Sequence, residues 1–233
     1  MAVLSIPGAL RTIAHLCMTV GYLCIALFVL GEWQYDSARA SAVELMHSQS
    51  RLPGAQDLHS DWFARVMRVN REVDQSWWSG SRIEHYRAAL TAPPQMPLAV
   101  LRIRELSFEV PVFGDTSDAS LDLGAGVIEG MALPGKGGNL GIAGHRDGFF
   151  RTLRHIAPGV VAEVETPTRT YLYRIDRVRV VDSNDASSLA DTDESSLTLV
   201  TCYPFFYIGA APQRFVAQGS LQKSAPPVVR GGV

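Results

Sequence analysis

Residues 98–112 read LAVLRIRELSFEVPV, and this stretch indicates the fold class of the chain. Leu98–Ile103 is a short apolar run of the kind found in buried strands. From Leu106 to Val112, apolar residues at every second position alternate with Ser107, Glu109 and Pro111, which is the period of a half-buried strand. A sheet-forming domain therefore begins here, directly after the proline-rich segment 91–97.

Similar strand patterns recur towards the C-terminus, separated by turn-rich segments such as residues 133–139 and 165–168. The other predicted strands are residues 140–143, 160–165, 171–181, 197–201 and 215–218. Within this block only Phe149–Ile156 has a helical pattern. Many short strands with one minor helix predict an all-β domain, a closed or nearly closed β-barrel.

The N-terminal part of the sequence contains an apolar run. Residues 12–31 include no Asp, Glu, Lys or Arg, as expected of a helix that crosses a hydrocarbon core about 30 Å thick. Trp33 and Tyr35 follow, and such aromatics are typical of the membrane interface. We therefore expect residues 1–32 to be an uncleaved, single-pass transmembrane anchor. Arg11 precedes the run, so the positive-inside rule places the N-terminus inside and the main domain outside the cytoplasm.

Between the anchor and the barrel lies an arm, residues 33–97. Trp62–Val69 has apolar residues at helical spacing, and a second helical stretch spans Ile83–Leu90. We interpret the arm as helical or irregular, with its tryptophans as packing residues. The barrel is expected over residues 98–222 and a flexible tail over residues 223–233.

Charge and composition exclude some functions. The 233 residues have a net charge of −2, with 21 Lys and Arg against 23 Asp and Glu, so no basic face for nucleic acid is expected. The carboxylates show no ligand-loop spacing. We therefore predict neither a metal nor another cofactor.

The positions of the cysteines suggest that one thiol has a chemical function. Of the three cysteines, Cys17 and Cys24 lie in the apolar run, and Cys202 has no evident disulfide partner. An exported domain sits where disulfides form readily, so an unpaired thiol there suggests that the thiol is used.

A cysteine nucleophile needs a base or a positive neighbour. His145 follows the predicted strand 140–143, as Cys202 follows the strand 197–201, so both could emerge at one rim of the barrel. His155 is a competing histidine on the predicted short helix. Arg214 begins the next strand after Cys202, within reach of its sulfur.

Three motifs, in order, resemble those of the sortase family. TLVTCYPF at 198–205 resembles the TLxTC active-site signature, and its Tyr-Pro-Phe extension looks most like class D and Gram-negative-type sortases. GNLGIAGHR at 138–146 resembles the family's histidine motif, and APQRFV at 211–216 its arginine strand.

The resemblance implies a sortase-like eight-stranded β-barrel with short helices. It makes Cys202 the nucleophile, His145 the general acid/base and Arg214 the group that positions substrate and stabilises the oxyanion. Thr201 and Tyr203 would contact substrate, although Thr201 has an equally good explanation as a β-branched strand residue. Asn139 is interpreted as shaping the turn before the histidine strand, and Asp147 as a helix N-cap rather than a residue that orients the histidine.

The resemblance also implies an activity. A membrane-anchored cysteine transpeptidase would cleave an LPxTG-like sorting signal of a protein substrate and transfer the acyl group to an amine of a cell-wall precursor or another protein. Its catalytic domain would lie outside the plasma membrane, in the periplasm of a Gram-negative host. The alternatives are another exported Cys/His peptidase, an LD-transpeptidase-like enzyme, or a non-enzymatic membrane-anchored β domain that binds a partner.

Overall fold

A closed eight-stranded β-barrel forms the core of this protein. The computed structural model describes residues 15, 17–23, 25–26, 62–63, 66, 75–76, 78–92, 95–207 and 209–226. The strands are β1 Ala99–Ile103, β2 Phe108–Phe113, β3 Ala125–Val127, β4 Asn139–Gly144, β5 Val161–Glu165, β6 Thr170–Asp182, β7 Ser196–Tyr203 and β8 Gln213–Ala225. The helices are α1 Gly80–Thr91 and α2 Asp118–Leu123, with 3₁₀ turns at Arg104–Leu106, Phe149–His155 and Ser187–Leu189.

The strand order around the barrel is β1-β2-β3-β4-β7-β8-β6-β5, and β5 closes it by pairing with β1. Most neighbours are antiparallel, but β2–β3 and β4–β7 are parallel. The parallel β4–β7 pair matters for the site, because two strands that run in the same direction end at the same edge of the sheet.

Alternation along the strands explains the core. Leu197 and Leu199 of β7 and Leu140 and Ile142 of β4 are almost fully buried, at every second position as expected when one face of a strand points into a barrel. The predicted all-β barrel is therefore confirmed, and it is closed.

Every strand except β3 was predicted, although the predicted and observed bounds differ for some of them. β3 has only three residues, AGV, too few to show a period. Leu106, predicted to be in a strand, lies in a 3₁₀ turn, since Ser107 takes the left-handed conformation there. Phe149–Ile156 was correctly predicted as a helical segment and is 3₁₀ over Phe149–His155. α2 was not predicted.

The described part of the arm is partly helical. α1 contains the whole predicted stretch Ile83–Leu90, and its first turn is capped by the Ser79 side chain, which accepts a hydrogen bond from the Arg82 N–H. Trp62 and Val66 are helical and bury their side chains against Val100 of β1. Packing is thus the observed role of Trp62, whereas Trp77 lies outside the described residues.

The predicted membrane span, residues 12–31, lies only partly within the described residues. Those of it that are described, namely 15, 17–23 and 25–26, are helical. No helix among the described residues has the length and apolar character needed to cross a bilayer. The anchor therefore stays a prediction.

A buried ion-pair network joins β1 to its two neighbours. The Arg102 guanidinium donates to both carboxylate oxygens of Glu109 on β2, at 3.0 and 2.7 Å, and to Glu165 on β5 at 3.0 Å. Arg104 donates to Glu163 at 2.5 and 3.0 Å. The Glu109 and Glu165 partners raise the pKa of Arg102 despite its burial, so its charge is fixed.

We expect Arg102→Met to lower the free energy of unfolding by about 3–5 kcal/mol, because Glu165, with 1% of its surface exposed, would lose its buried partner. Urea denaturation measures this change. Arg104→Met is the matched control: its side chain is 56% exposed, so about 1 kcal/mol or less is expected. Equal losses in the two variants would contradict this assignment.

Candidate active site

Cys202 and Arg214 are direct cross-strand partners. In the antiparallel β7–β8 pair Cys202 lies opposite Arg214, next to the pairs Thr201–Phe215 and Val200–Val216. Directly opposed residues in an antiparallel pair project their side chains from the same face, with Cβ atoms about 5 Å apart. The side chains of Cys202 and Arg214 therefore leave the two strands as neighbours on one face, an arrangement that the spacing of the two motifs predicted.

The face that carries this pair is the outer one. Leu197 and Leu199 point into the core, so the alternate residues Thr198, Val200 and Cys202 point outwards. Cys202 and Arg214 are both half-buried, so the nucleophile candidate can be reached by a peptide. The sequence predicted that Cys202 and His145 emerge at one rim of the barrel. The strand register places Cys202 and Arg214 on the outer face of the barrel wall, at the ends of their strands.

His145 is brought to the same place by the parallel β4–β7 pair. Ala143 lies opposite Val200, and continuing this register past Gly144 aligns His145 with Cys202. Gly144 points inwards, since a Cβ there would meet the Phe150 ring at 2.7 Å, so His145 continues on the outer face. The three residues predicted to act together thus come from three adjacent strand ends.

Thr201 ties the two strand ends together. Its hydroxyl donates to the carbonyl of Gly144 at 2.7 Å and is buried. This bond holds the residue before Cys202 to the residue before His145. The Thr201 side chain is thus engaged with backbone. Tyr203 is half-buried and stacks edge-to-face on Phe205, with ring centroids 5.9 Å apart. The substrate contacts of both residues stay predictions.

Arg214 holds its guanidinium close to its own loop. Nη1 donates to the carbonyls of Ala211 at 3.3 Å and Gln213 at 3.1 Å. No carboxylate in the described part of the chain forms an ion pair with it. A positive group beside the thiol, with donors left over for a second partner, fits the oxyanion role that the motifs implied.

His145 is surrounded by charges that the sequence did not reveal. Its Nε2 lies 3.8 Å from Oδ1 of Asp122, and Asp122 is ion-paired with Arg82 of α1. Burial lowers the pKa of His145, and the neighbouring Arg82 lowers it further, while Asp147 and Asp118 act in the opposite direction. Asp122 is thus an acidic neighbour of His145 that no motif in the sequence indicated.

Asp147 does not cap a helix. The 3₁₀ turn after it starts from Gly148 and has no side-chain cap. The Asp147 carboxylate instead lies 3.9 Å from Nε of Arg82, and its carbonyl accepts a hydrogen bond of 2.7 Å from the Trp78 indole. The N-cap prediction was wrong because the arm, which lies far away in sequence, competes for this residue.

Arg146 anchors the loop between β7 and β8. Its Nη2 donates at 2.8 Å to the carbonyls of both Tyr207 and Gly209, and its guanidinium lies 5.5 Å from the centre of the Tyr207 ring. His145 thus belongs to the candidate site, and the next residue, Arg146, holds the loop that connects Cys202 to Arg214.

The first threonine of the cysteine motif and Asn139 share a buried network. Thr198 donates to Asn139 at 2.8 Å, and Asn139 donates to the carbonyls of Ser188 at 3.2 Å and Ala190 at 3.0 Å. Gln218, opposite Thr198 on β8, donates to Ser188 as well. Asn139 therefore fastens the segment before β7 to the barrel wall, which is more than shaping a turn.

The competing histidine has a surface role. His155 is exposed, and its Nε2 accepts a hydrogen bond of 2.9 Å from Arg154. Among the described residues no group of three or more His, Cys, Asp or Glu side chains is arranged to hold a metal ion. The absence of a metal stays a prediction.

A family model described as Sortase domain matches residues 101–222, just over half of the chain. The chain belongs to the sortase family. This confirms the resemblance that the three motifs carried, and the matched range includes the cysteine, the histidine and the arginine. It does not include α1.

Two sortases and one solved structure illustrate the similarity. Sortase D of Bacillus subtilis is 30% identical over 121 residues, which cover 52% of this chain and 61% of that protein. Sortase SrtE1 of Streptomyces coelicolor is 27% identical over 243 residues, covering 94% of this chain and 60% of that protein. The chain thus spans about three fifths of the length of each of these relatives. The structure of Listeria monocytogenes sortase A superposes with a TM-score of 0.53 at 22% identity, covering 58% of this chain and 93% of that one, which supports the barrel fold.

Proposed function

We propose that this sortase is a membrane-anchored cysteine transpeptidase that cleaves an LPxTG-like sorting signal between Thr and Gly and transfers the acyl group to an amine. The observation that carries the proposal is the register of three strand ends, which aligns Cys202 with Arg214 on one side and His145 on the other. Membership of the family supplies the reaction class.

The first half-reaction forms a thioester. The Cys202 thiolate attacks the threonine carbonyl carbon, and the resulting oxyanion accepts hydrogen bonds from Arg214 and nearby backbone N–H groups. The C–N bond then breaks, and the His145 imidazolium gives its proton to the departing glycine amine. The acyl group is left on sulfur.

The second half-reaction makes the new amide. The acceptor amine attacks the thioester carbon, the C–S bond breaks, and neutral His145 takes the surplus proton. Since a thioester conserves much of the free energy of the broken amide, no ATP is required. Attack by water in place of the amine would give hydrolysis.

The reaction needs a thiolate and an imidazolium at the same time. Burial and Arg82 lower the pKa of His145, so little of the imidazolium persists at neutral pH. We therefore propose that only a minority of the enzyme is in the reactive protonation state at pH 7 and that turnover is slow.

We expect the His145 imidazole to titrate below the pH at which a histidine in an unstructured peptide does. A lowered pKa means that the imidazolium is lost at a more acidic pH. The acidic edge of the kcat/KM profile should therefore lie at the same pH as the His145 titration. NMR of the histidine ring protons, assigned by the loss of a signal in His145→Gln, measures the titration. A midpoint above the ordinary histidine value would contradict the assignment of desolvation as the main cause.

Membrane attachment is part of the proposal. The charge-free run 12–31 followed by Trp33 and Tyr35 supports a single-pass anchor in the plasma membrane, with the barrel on the outer or periplasmic side. Membrane lipid around residues 12–31 would then be a partner. Protease treatment of intact cells or spheroplasts, with probes for both ends of the chain, tests this topology. Protection of the barrel from external protease would contradict it.

The substrate assignment is tested by product analysis. The full chain is incubated with a library of sorting-motif peptides and triglycine, and products are read by mass spectrometry. Cleavage after threonine with addition of triglycine supports the proposal. Release of free acid alone would indicate a peptidase, cross-linking of peptidoglycan stems an LD-transpeptidase, and no adduct on Cys202 across the library would overturn the proposal.

A further inference from the structure

We propose that Asp122, held in place by Arg82 of the arm, is a positioning residue that orients the His145 imidazole and sets how readily it carries a proton. The inference rests on the proposed function, in which His145 is the general acid. It goes further by assigning a role at the active site to Asp122 and to Arg82, of which Arg82 lies before the matched family range.

The geometry starts from α1. Arg82 lies in the first turn of this helix, where its backbone N–H is capped by Ser79 at 3.2 Å. Its guanidinium packs 4.5 Å from the centre of the Trp78 ring, and Trp78 in turn packs edge-to-face on Tyr86 at 5.2 Å. Aromatic packing therefore holds the Arg82 guanidinium in place independently of its ion pairs with carboxylates.

Arg82 then pairs with two of the acidic residues near the histidine, Asp122 and Asp147. Nη1 pairs with Oδ1 of Asp122, and Nε lies 3.9 Å from Oδ1 of Asp147. The Trp78 indole donates to the Asp147 carbonyl at 2.7 Å. Asp147, in the loop that carries His145, is thus held at two atoms, its carbonyl by Trp78 just before α1 and its carboxylate by Arg82 of α1.

Asp122 is the carboxylate that reaches the imidazole. Its side chain is only 6% exposed, and the same Oδ1 lies 3.8 Å from Nε2 of His145. An opposite charge at this distance stabilises an imidazolium. Because Nε2 faces Asp122, the proposal assigns the proton exchange with substrate to Nδ1.

The charges around His145 come from each element packed against it. α1 contributes Arg82, α2 contributes Asp118 and Asp122, and the loop of His145 contributes Asp147. Cys202 and Arg214 lie at the adjacent strand ends. Because Asp122 and Arg82 have opposite signs, removing Asp122 makes the charge around the imidazole more positive, and removing Arg82 makes it more negative.

The test uses this difference in sign. Asp122→Asn is expected to lower the pKa of His145 by about one unit, since Arg82 is left unneutralised, and Arg82→Gln to raise it by about one unit. Arg82→Lys keeps the charge and should titrate close to the wild type. The readout is the NMR titration of the His145 ring in the full chain, which needs no substrate.

Activity provides a second readout. For Asp122→Asn we expect kcat to fall roughly tenfold with KM unchanged, because one unit of pKa changes the imidazolium fraction by that factor. Arg82→Gln should move the acidic edge of the pH profile to higher pH. Matched controls are Arg87→Gln, exposed on the same helix, and Asp176→Asn, exposed on β6; both should leave the titration and the profile unchanged.

Each outcome decides the proposal. Shifts of opposite sign in the two variants support it. Lower melting temperatures in both variants with an unmoved His145 titration would show that the ion pair is only structural and would overturn it. If Asp122→Asn fails to fold, the contrast between Arg82→Gln and Arg82→Lys gives the same decision. If no peptide is processed by any form of the chain, the proposed function fails, but the titrations still test this contact.

Discussion

We expect Cys202→Ala to abolish both thioester formation and transfer to an amine acceptor. In a covalent mechanism the nucleophile has no substitute, and its removal from a comparable catalytic triad costs on the order of a millionfold in kcat. Intact-protein mass spectrometry after incubation with a sorting-motif peptide should detect an acyl adduct on the wild-type chain and none on the variant. Product assays should show no turnover above background.

The loss should be chemical rather than structural. Cys202 is half-buried at a strand end, so alanine leaves little empty volume and the melting temperature should be almost unchanged. Cys202→Ser is a closer test, because it keeps the shape but offers a hydroxyl that this site has no strong base to ionise. Cys17→Ala is the matched control: Cys17 is an exposed free thiol, and its removal should not alter the adduct. An adduct that disappears with Cys17 and persists without Cys202 would sink the mechanism.

The second large effect is expected for Arg214. We expect Arg214→Ala to lower kcat by about a hundredfold to a thousandfold, the loss found when one donor to an oxyanion is removed. Arg214 lies opposite Cys202 on β8, and the proposed mechanism requires its guanidinium beside the carbonyl that the sulfur attacks. Single-turnover measurement of acylation separates this effect from the later transfer step.

Arg214→Lys should recover only part of the loss. A lysine ammonium keeps the charge but not the planar fork of donors, and it cannot reproduce the bonds to the Ala211 and Gln213 carbonyls together with a bond to substrate. Arg174→Ala, exposed on β6, is the control for a general effect of removing positive charge. Full activity of Arg214→Ala would exclude the arginine from the oxyanion site.

Much of the fold could be predicted from local patterns. The alternation in residues 106–112 and 197–201 identified strands because a barrel wall buries every second side chain, a period that survives in the sequence. β3 was not predicted because Ala125–Val127 is too short to show a period. Its Gly126 leaves no room for a Cβ beside the Asp115 carbonyl, a constraint that only the packed neighbours define.

The candidate site, like the fold, could be predicted from the sequence only in part. The sequence by itself identified the residues proposed to bear the chemistry, an unpaired Cys202, a strand-end His145 and a strand-start Arg214, and the match over residues 101–222 confirms that the chain is a sortase. The tertiary structure decided their alignment, because strand register is set by hydrogen bonds between segments far apart in the chain. Only the tertiary structure shows that Arg82 and Asp122 lie near the imidazole of His145. An ion pair between two helices produces no spacing or period in the sequence, so it could not be predicted.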